Sequence, residues 1–162
     1  MENHRIEVVY QKGLQTELDA VAQRLCDQAK LAAKRAYAPY SNFSVGAALL
    51  LDNEEIVTGN NQENAAYPSG LCAERVAMFY ANSLYPDAKV VRMVVFVDIV
   101  AEADLVPPCG SCLQVIRESE VRFEQSVEII LIDRNRFLRA ESVQQFMPLS
   151  FSGDFLLSKN NN

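Results

Sequence analysis

Cys72, Glu74, Cys109 and Cys112 are the residues of this chain best equipped for chemistry: three thiols, two of them in a Cys-x-x-Cys pair, and a carboxylate two positions from the first. A structural zinc is closed by four protein ligands, whereas a catalytic zinc keeps one position open for water. Three clustered cysteines beside a carboxylate fit the second pattern. His4 is the only histidine and stands in the N-terminal tail, where it reads as a solvated residue rather than a fourth ligand. Cys26 follows Leu25 on an apolar helical stripe and reads as a small buried hydrophobe.

The spacing suggests how the thiols are carried. Pro107-Pro108 stand before Cys109, and Pro68-Ser69-Gly70 stand before Cys72, each marking a helix start. Unpaired backbone N–H groups there favour thiolate charge. Two half-sites at two helix N-termini then face each other. Three thiolates around Zn2+ leave a formal charge of about −1, which a guanidinium at Arg75 can offset. Bound zinc brings the pKa of water down to about 7, and Glu74 is close enough in sequence to move the protons.

The elements that must position these residues follow from periodicity. Leu14, Leu18, Val21, Leu25 and Ala29 fall at helical spacing, with Pro39 beyond the helix end. Residues 43–51 and 56–60 read as strands joined across Asp52-Asn53-Glu54-Glu55. A helix opens at Cys72 and continues through Ala77 and Tyr80; a β-branched run over 90–100 reads as a buried strand. A further helix runs from Cys109 to about Glu120. Strands at 127–132 and 137–140 follow, and Ser142 to Gln145 has capping-box spacing for a short final helix. Strands alternating with helices predict a three-layer α/β/α fold with a mixed five-stranded sheet and helices on both faces. With no repeat, linker or composition break, a single domain over 1–162 is expected, with 1–12 and 158–162 as loose termini.

The 162 residues are 49% hydrophobic and 22% charged, ordinary values for one globular domain. A net charge of −6 argues against a protein that grips nucleic acid, because such affinity comes from Lys and Arg neutralising phosphates. The Lys30, Lys34, Arg35 cluster reads as a solvated helix face. No glycine-rich phosphate loop is present, so a neutral small substrate is favoured. There is no apolar run of membrane-spanning length and no basic-then-apolar signal, so no membrane role and a cytoplasmic location are expected, in keeping with clustered thiols that bind metal rather than form disulfides.

At these residues the chain resembles the zinc-dependent cytidine deaminases of the small free-nucleoside type. The Cys72-Ala73-Glu74-Arg75 and Pro107-Pro108-Cys109-Gly110-Ser111-Cys112 motifs carry the likeness, with the blocks Tyr40 to Leu49, Gly59 to Pro68 and Leu149-Ser150-Phe151 in family order. It spans roughly residues 14 to 155. The resemblance implies that Cys72, Cys109 and Cys112 hold one zinc per subunit and that Glu74 is the proton shuttle. Asn61 and Glu63 would hold the sugar 3′-hydroxyl, Phe43 would lie against the pyrimidine, and the Ala73 backbone N–H would approach the base O2. Tyr67 and Phe151 resemble aromatics that complete pockets across subunit boundaries, and a homotetramer is implied. The reaction implied is hydrolysis of cytidine and deoxycytidine to the uridines with release of ammonia, in pyrimidine salvage.

Two features depart from the family pattern. Leu113 follows Cys112 where many relatives carry arginine, leaving the charge compensation to Arg75 alone or with help from Arg117 one turn on. The segment 100–106 before the second motif is long. Two other functions are consistent with the zinc residues: deamination of another aminated heterocycle, which the sugar residues Asn61 and Glu63 oppose, and a non-enzymatic zinc module, which leaves Glu74 and the open coordination position unexplained.

Overall fold

Alternation of buried residues along the central strands divides the core in two. The computed structural model describes residues 1–98, 105–153 and 156. In β1 to β6 (Gln11–Leu14, Val45–Leu51, Ile56–Asn60, Val90–Val97, Glu128–Ile132 and Arg136–Ala140) the sheet order is β1-β6-β5-β4-β2-β3, with only β4 and β5 parallel. Met93, Val95, Ile129 and Leu131 face one side, and Val94, Phe96, Ile130 and Ile132 the other. Strands buried on both faces need continuous apolar runs, which is what 93–97 and 129–132 supply.

Helix α1 (Ala20–Ala33) covers one face through Ala22, Leu25, Cys26, Ala29 and Ala33. Helices α2 (Ala73–Leu84) and α3 (Gly110–Phe123) cover the other through Ala73, Ala77, Met78, Leu113 and Ile116. The α/β/α layering expected from the sequence is present, but the sheet has six strands, not five.

The additional strand is β1, which pairs antiparallel with β6 from Gln11↔Arg139 to Leu14↔Arg136. Its four residues are almost wholly exposed and carry no apolar alternation, so periodicity had nothing to register. Residues 11 and 12 are therefore not part of a loose terminus, and the Val9 N–H donates to Gln145 Oε1 at 2.7 Å. The 158–162 tail and positions 100–104 of the segment 100–106 lie outside the described residues; Leu105 is buried in the α2/α3 side of the core.

The first helical stripe is also corrected. Leu14 belongs to β1 and is exposed, and Val21 is exposed as well. Asp19 caps α1 by accepting from the Ala22 N–H at 2.8 Å, which rotates the buried face onto Ala22, Leu25, Cys26 and Ala29. The strand expected from residue 43 begins at Val45, because Asn42 takes a left-handed conformation (φ 54°) and turns the chain.

Two glycines set how closely the helices approach the sheet. A Cβ on Gly59 would stand 2.5 Å from the Ala77 nitrogen and 2.6 Å from the Ala73 oxygen, so only glycine lets the start of α2 rest on β3. Gly46 does the same for α1, facing the backbone of Ala29 and Ala33. On the far side, the buried Glu120 accepts from the Val127 and Val143 N–H groups, both at 3.0 Å, tying α3 to β5 and to the 3-10 turn Val143–Gln145.

Candidate active site

Cys72 is the N-cap residue of α2 and Cys109 that of α3, both with extended backbone, while Cys112 sits in the first turn of α3. The 3-10 turn Tyr67–Ser69, closed by the Gly70 N–H to Tyr67 O at 3.1 Å, delivers the chain to Cys72. Just before α2, Leu71 and Gln62 exchange two backbone hydrogen bonds of 2.9 Å, which fastens the Asn61 to Glu63 segment beside the first thiol.

The three sulfurs converge. Cys72 Sγ lies 3.9 Å from Cys109 Sγ, and Cys109 Sγ lies 3.5 Å from Cys112 Sγ. All three fall within 4.8 Å of one another and none is in a disulfide. Tetrahedral ligation with Zn–S bonds of about 2.3 Å places sulfurs about 3.8 Å apart, close to the separations seen, so the donor set fits one zinc ion.

The electrostatics point the same way. The contact with the Cys112 thiol, with further help from the Arg75 guanidinium, outweighs burial and pulls the Cys72 thiol down to about 5. Cys112 moves upward, first through the same contact and then through burial and the Glu74 charge. Thiols this close share one negative charge among them and need a cation to ionise together. Arg75 Nη2 is 3.8 Å from Cys72 Sγ, and its Nε is buried with no partner among the described residues.

Glu74, in the first turn of α2, is only 5% exposed. Burial raises its carboxyl above the usual range, and the Cys72 charge adds to the rise. A carboxyl group of this kind, beside a metal-ligand set, is suited to holding a proton and giving it up.

A cleft of about 450 Å³ opens over Cys72 and Arg75, lined by Tyr40, Asn61, Glu63 and Tyr67 among others. Glu63 accepts from the Tyr40 N–H at 2.9 Å and the Ser41 N–H at 3.3 Å through Oε2, and from the Ser41 hydroxyl through Oε1. Asn61 donates from Nδ2 to Phe43 O and accepts at Oδ1 from the Val45 N–H, both at 2.8 Å. Five of the residues expected from the sequence, Asn61, Glu63, Tyr67, Cys72 and Arg75, thus share one cleft. A larger cleft of about 680 Å³ beside Asp19, Arg92 and Glu128 has no thiol in its lining and is framed by ion pairs, so volume alone does not locate the chemistry.

The remaining expected residues are placed less directly. The Ala73 side chain is fully buried, leaving its helix-start N–H as the group of interest. Phe43 is 38% exposed and is not in the cleft lining, although its backbone is fixed to Asn61 and Ser41. Tyr67 is 77% exposed and meets the Tyr40 ring edge-on at 6.3 Å. Phe151 is exposed, and its carbonyl accepts from Gln114 Nε2 at 3.1 Å. Leu113 packs into the core, so the residue after Cys112 points toward the sheet. Arg117 reaches Glu120 at 3.7 Å rather than the thiols. Sequence reasoning gave no role to Tyr40 or Ser41, although both stand in a quoted family block.

Comparison with known proteins agrees with this geometry. A family model described as the cytidine and deoxycytidylate deaminase zinc-binding region matches residues 20–125. A cytidine deaminase of Sporosarcina psychrophila is 38% identical over 135 residues, covering 83% of this chain and 93% of the relative. One from Halalkalibacterium halodurans is 45% identical over 97 residues, 59% of this chain and 70% of the relative. The crystal structure of cytidine deaminase from Burkholderia pseudomallei superposes with a TM-score of 0.66 at 33% identity, covering 80% of this chain and 98% of that one.

Proposed function

The chain belongs to the zinc-dependent cytidine deaminase family, and from that membership we infer a hydrolytic enzyme that converts cytidine to uridine and ammonia. The observation that carries the reading is the meeting of three thiols and a buried carboxyl at two helix N-termini, with Cys72 opening onto a cleft. Cys72, Cys109 and Cys112 would hold the zinc. When bound, zinc supplies a water activated for attack at neutral pH.

Glu74 would take a proton from that water as its oxygen adds to C4 and deliver it to N3 of the cytosine ring, then carry the second proton from the added oxygen to the amino group as the C4–N bond breaks, leaving uridine and ammonia. One carboxyl serves as base and then as acid, a role suited to a group whose pKa burial has moved upward. The free N–H of Ala73 at the start of α2 orients the base by donating to O2, and Phe43 lies against the ring.

Hydrogen-bond capacity supports Asn61 and Glu63 as the sugar clamp. Asn61 has one Nδ2 hydrogen already used on Phe43 O and one left. The Glu63 carboxylate takes three hydrogen bonds from Tyr40 and Ser41, leaving about one of its roughly four acceptor sites. One donor and one acceptor match a single hydroxyl, that of the 3′ carbon. Deoxycytidine keeps that 3′-hydroxyl and is a substrate too, consistent with a role in pyrimidine salvage. A carboxylate in the cleft and a net charge of −6 disfavour phosphorylated substrates.

The sharing of one sheet by the two halves of the core supports the reading of a single domain. Among the described residues, no helix is long and apolar enough to cross a membrane. A cytoplasmic location suits three cysteines that must stay reduced to bind metal. Exposed Tyr67, Phe79, Tyr80 and Phe151 support the homotetramer, in which Tyr67 and Phe151 complete a neighbour's pocket. Ammonia release from cytidine, deoxycytidine and cytidine monophosphate tests the substrate range. The two nucleosides are expected to turn over within about tenfold of each other and the monophosphate at least about tenfold more slowly. Comparable rates with the monophosphate would contradict the assignment of Glu63.

A further inference from the structure

Ser41 stands between two residues assigned to the substrate. Its hydroxyl donates to Glu63 Oε1 while accepting from the Phe43 N–H at 3.0 Å. The other carboxylate oxygen, Oε2, is held by the Tyr40 and Ser41 N–H groups. The Ser41 hydroxyl is also the first cause of a Glu63 carboxyl held below its ordinary range, ahead of the Tyr40 N–H.

The division of labour matters because of how a glutamate moves. The last torsion of its side chain is broad, so a carboxylate anchored at one oxygen still swings about that anchor. Anchoring the second oxygen fixes the carboxylate plane and with it the direction of the remaining lone pair. A hydroxyl donating to a carboxylate is among the stronger hydrogen bonds available for this. Ser41 can reach Glu63, 22 residues away, because Tyr37 just upstream pairs with the same segment, its N–H donating to Asn61 O at 3.0 Å and its carbonyl accepting from the Glu63 N–H at 2.8 Å.

We propose that Ser41 is a positioning residue of the sugar site: it fixes the Glu63 carboxylate plane toward the sugar 3′-hydroxyl and couples that carboxylate to the backbone of Phe43. The assignment rests on the reading of Glu63 as a sugar ligand. Ser41 touches neither the metal ligands nor Glu74, so its effect falls on binding rather than on the chemical step.

Steady-state kinetics of the zinc-loaded full-length enzyme test this with cytidine and 3′-deoxycytidine, which differ only in the hydroxyl concerned. Ser41→Ala should raise KM for cytidine about tenfold, leave kcat within about twofold, and change KM for 3′-deoxycytidine by less than about twofold. Ser41→Thr, which keeps the hydroxyl, should recover most of the cytidine KM. An unchanged cytidine KM in Ser41→Ala, an equal rise with both nucleosides, or a Ser41→Thr variant as impaired as Ser41→Ala would overturn the role while leaving the deaminase reading intact. A wild-type enzyme that deaminates neither nucleoside would remove that reading, and the role of Ser41 with it.

Discussion

Arg75 is the cation that reaches the thiol cluster, through Cys72, among the described residues: Leu113 is packed in the core and Arg117 is turned to Glu120. Charge compensation for a trithiolate site therefore falls on one guanidinium. Arg75→Gln is expected to lower zinc affinity or turnover about 10- to 100-fold, the usual effect of removing a partner of a metal ligand. Zinc titration together with kcat checks this, and unchanged values for both would show that the charge is not needed. At this scale the metal site was legible in the sequence, because Cys-x-x-Cys spacing and a neighbouring Glu are local patterns. Ser41 was not, since its function depends on a contact with Glu63 that exists only once Tyr37 has paired with the Asn61 to Glu63 segment.

Among the elements, α3 carries two of the three thiols and is held in place by Glu120, whose Oε1 serves two backbone N–H groups from separate segments. Glu120→Ala leaves both donors buried without an acceptor. At about 1–3 kcal/mol for each of the two orphaned groups, the variant should lose about 2–6 kcal/mol in urea unfolding, with Glu120→Gln losing less because its amide oxygen still accepts. A change below about 0.5 kcal/mol in Glu120→Ala would contradict the clamp. Most elements were legible from periodicity: β3 matches the expected 56–60, and α2 opens at the expected thiol. The edge strand β1 was not, because exposed Gln11 and Lys12 gain their order from the backbone of β6 rather than from an apolar face. In the α1 stripe Leu25 and Ala29 are buried as expected, but Leu14 falls in β1 and Val21 gives way to Ala22, because alanines, which carry little hydrophobic signal, form much of the buried face.

For the whole molecule, the exposed aromatics are the feature a lone chain leaves unexplained. Tyr67 borders the cleft, and Tyr80 and Leu84 stand one turn apart on α2, the helix that carries Cys72 and Glu74. Burial between copies in the proposed homotetramer would account for their exposure and would link assembly to activity. Light scattering of the zinc-loaded protein should give four times the 18.1 kDa chain mass, whereas an active monomer would contradict a pocket completed by a neighbour. Such a surface is not readable from periodicity, which reports burial within a chain only. The central claim is that Glu74 moves protons for cytidine hydrolysis at a three-cysteine zinc site. It is tested most directly by measuring ammonia release from cytidine with wild type and Glu74→Ala preparations matched for zinc content. The expected result is about one zinc per chain in both, uridine and ammonia in equal amounts from wild type, and a loss of about 10²- to 10⁴-fold or more in the variant. Near-normal turnover by zinc-replete Glu74→Ala would contradict the account.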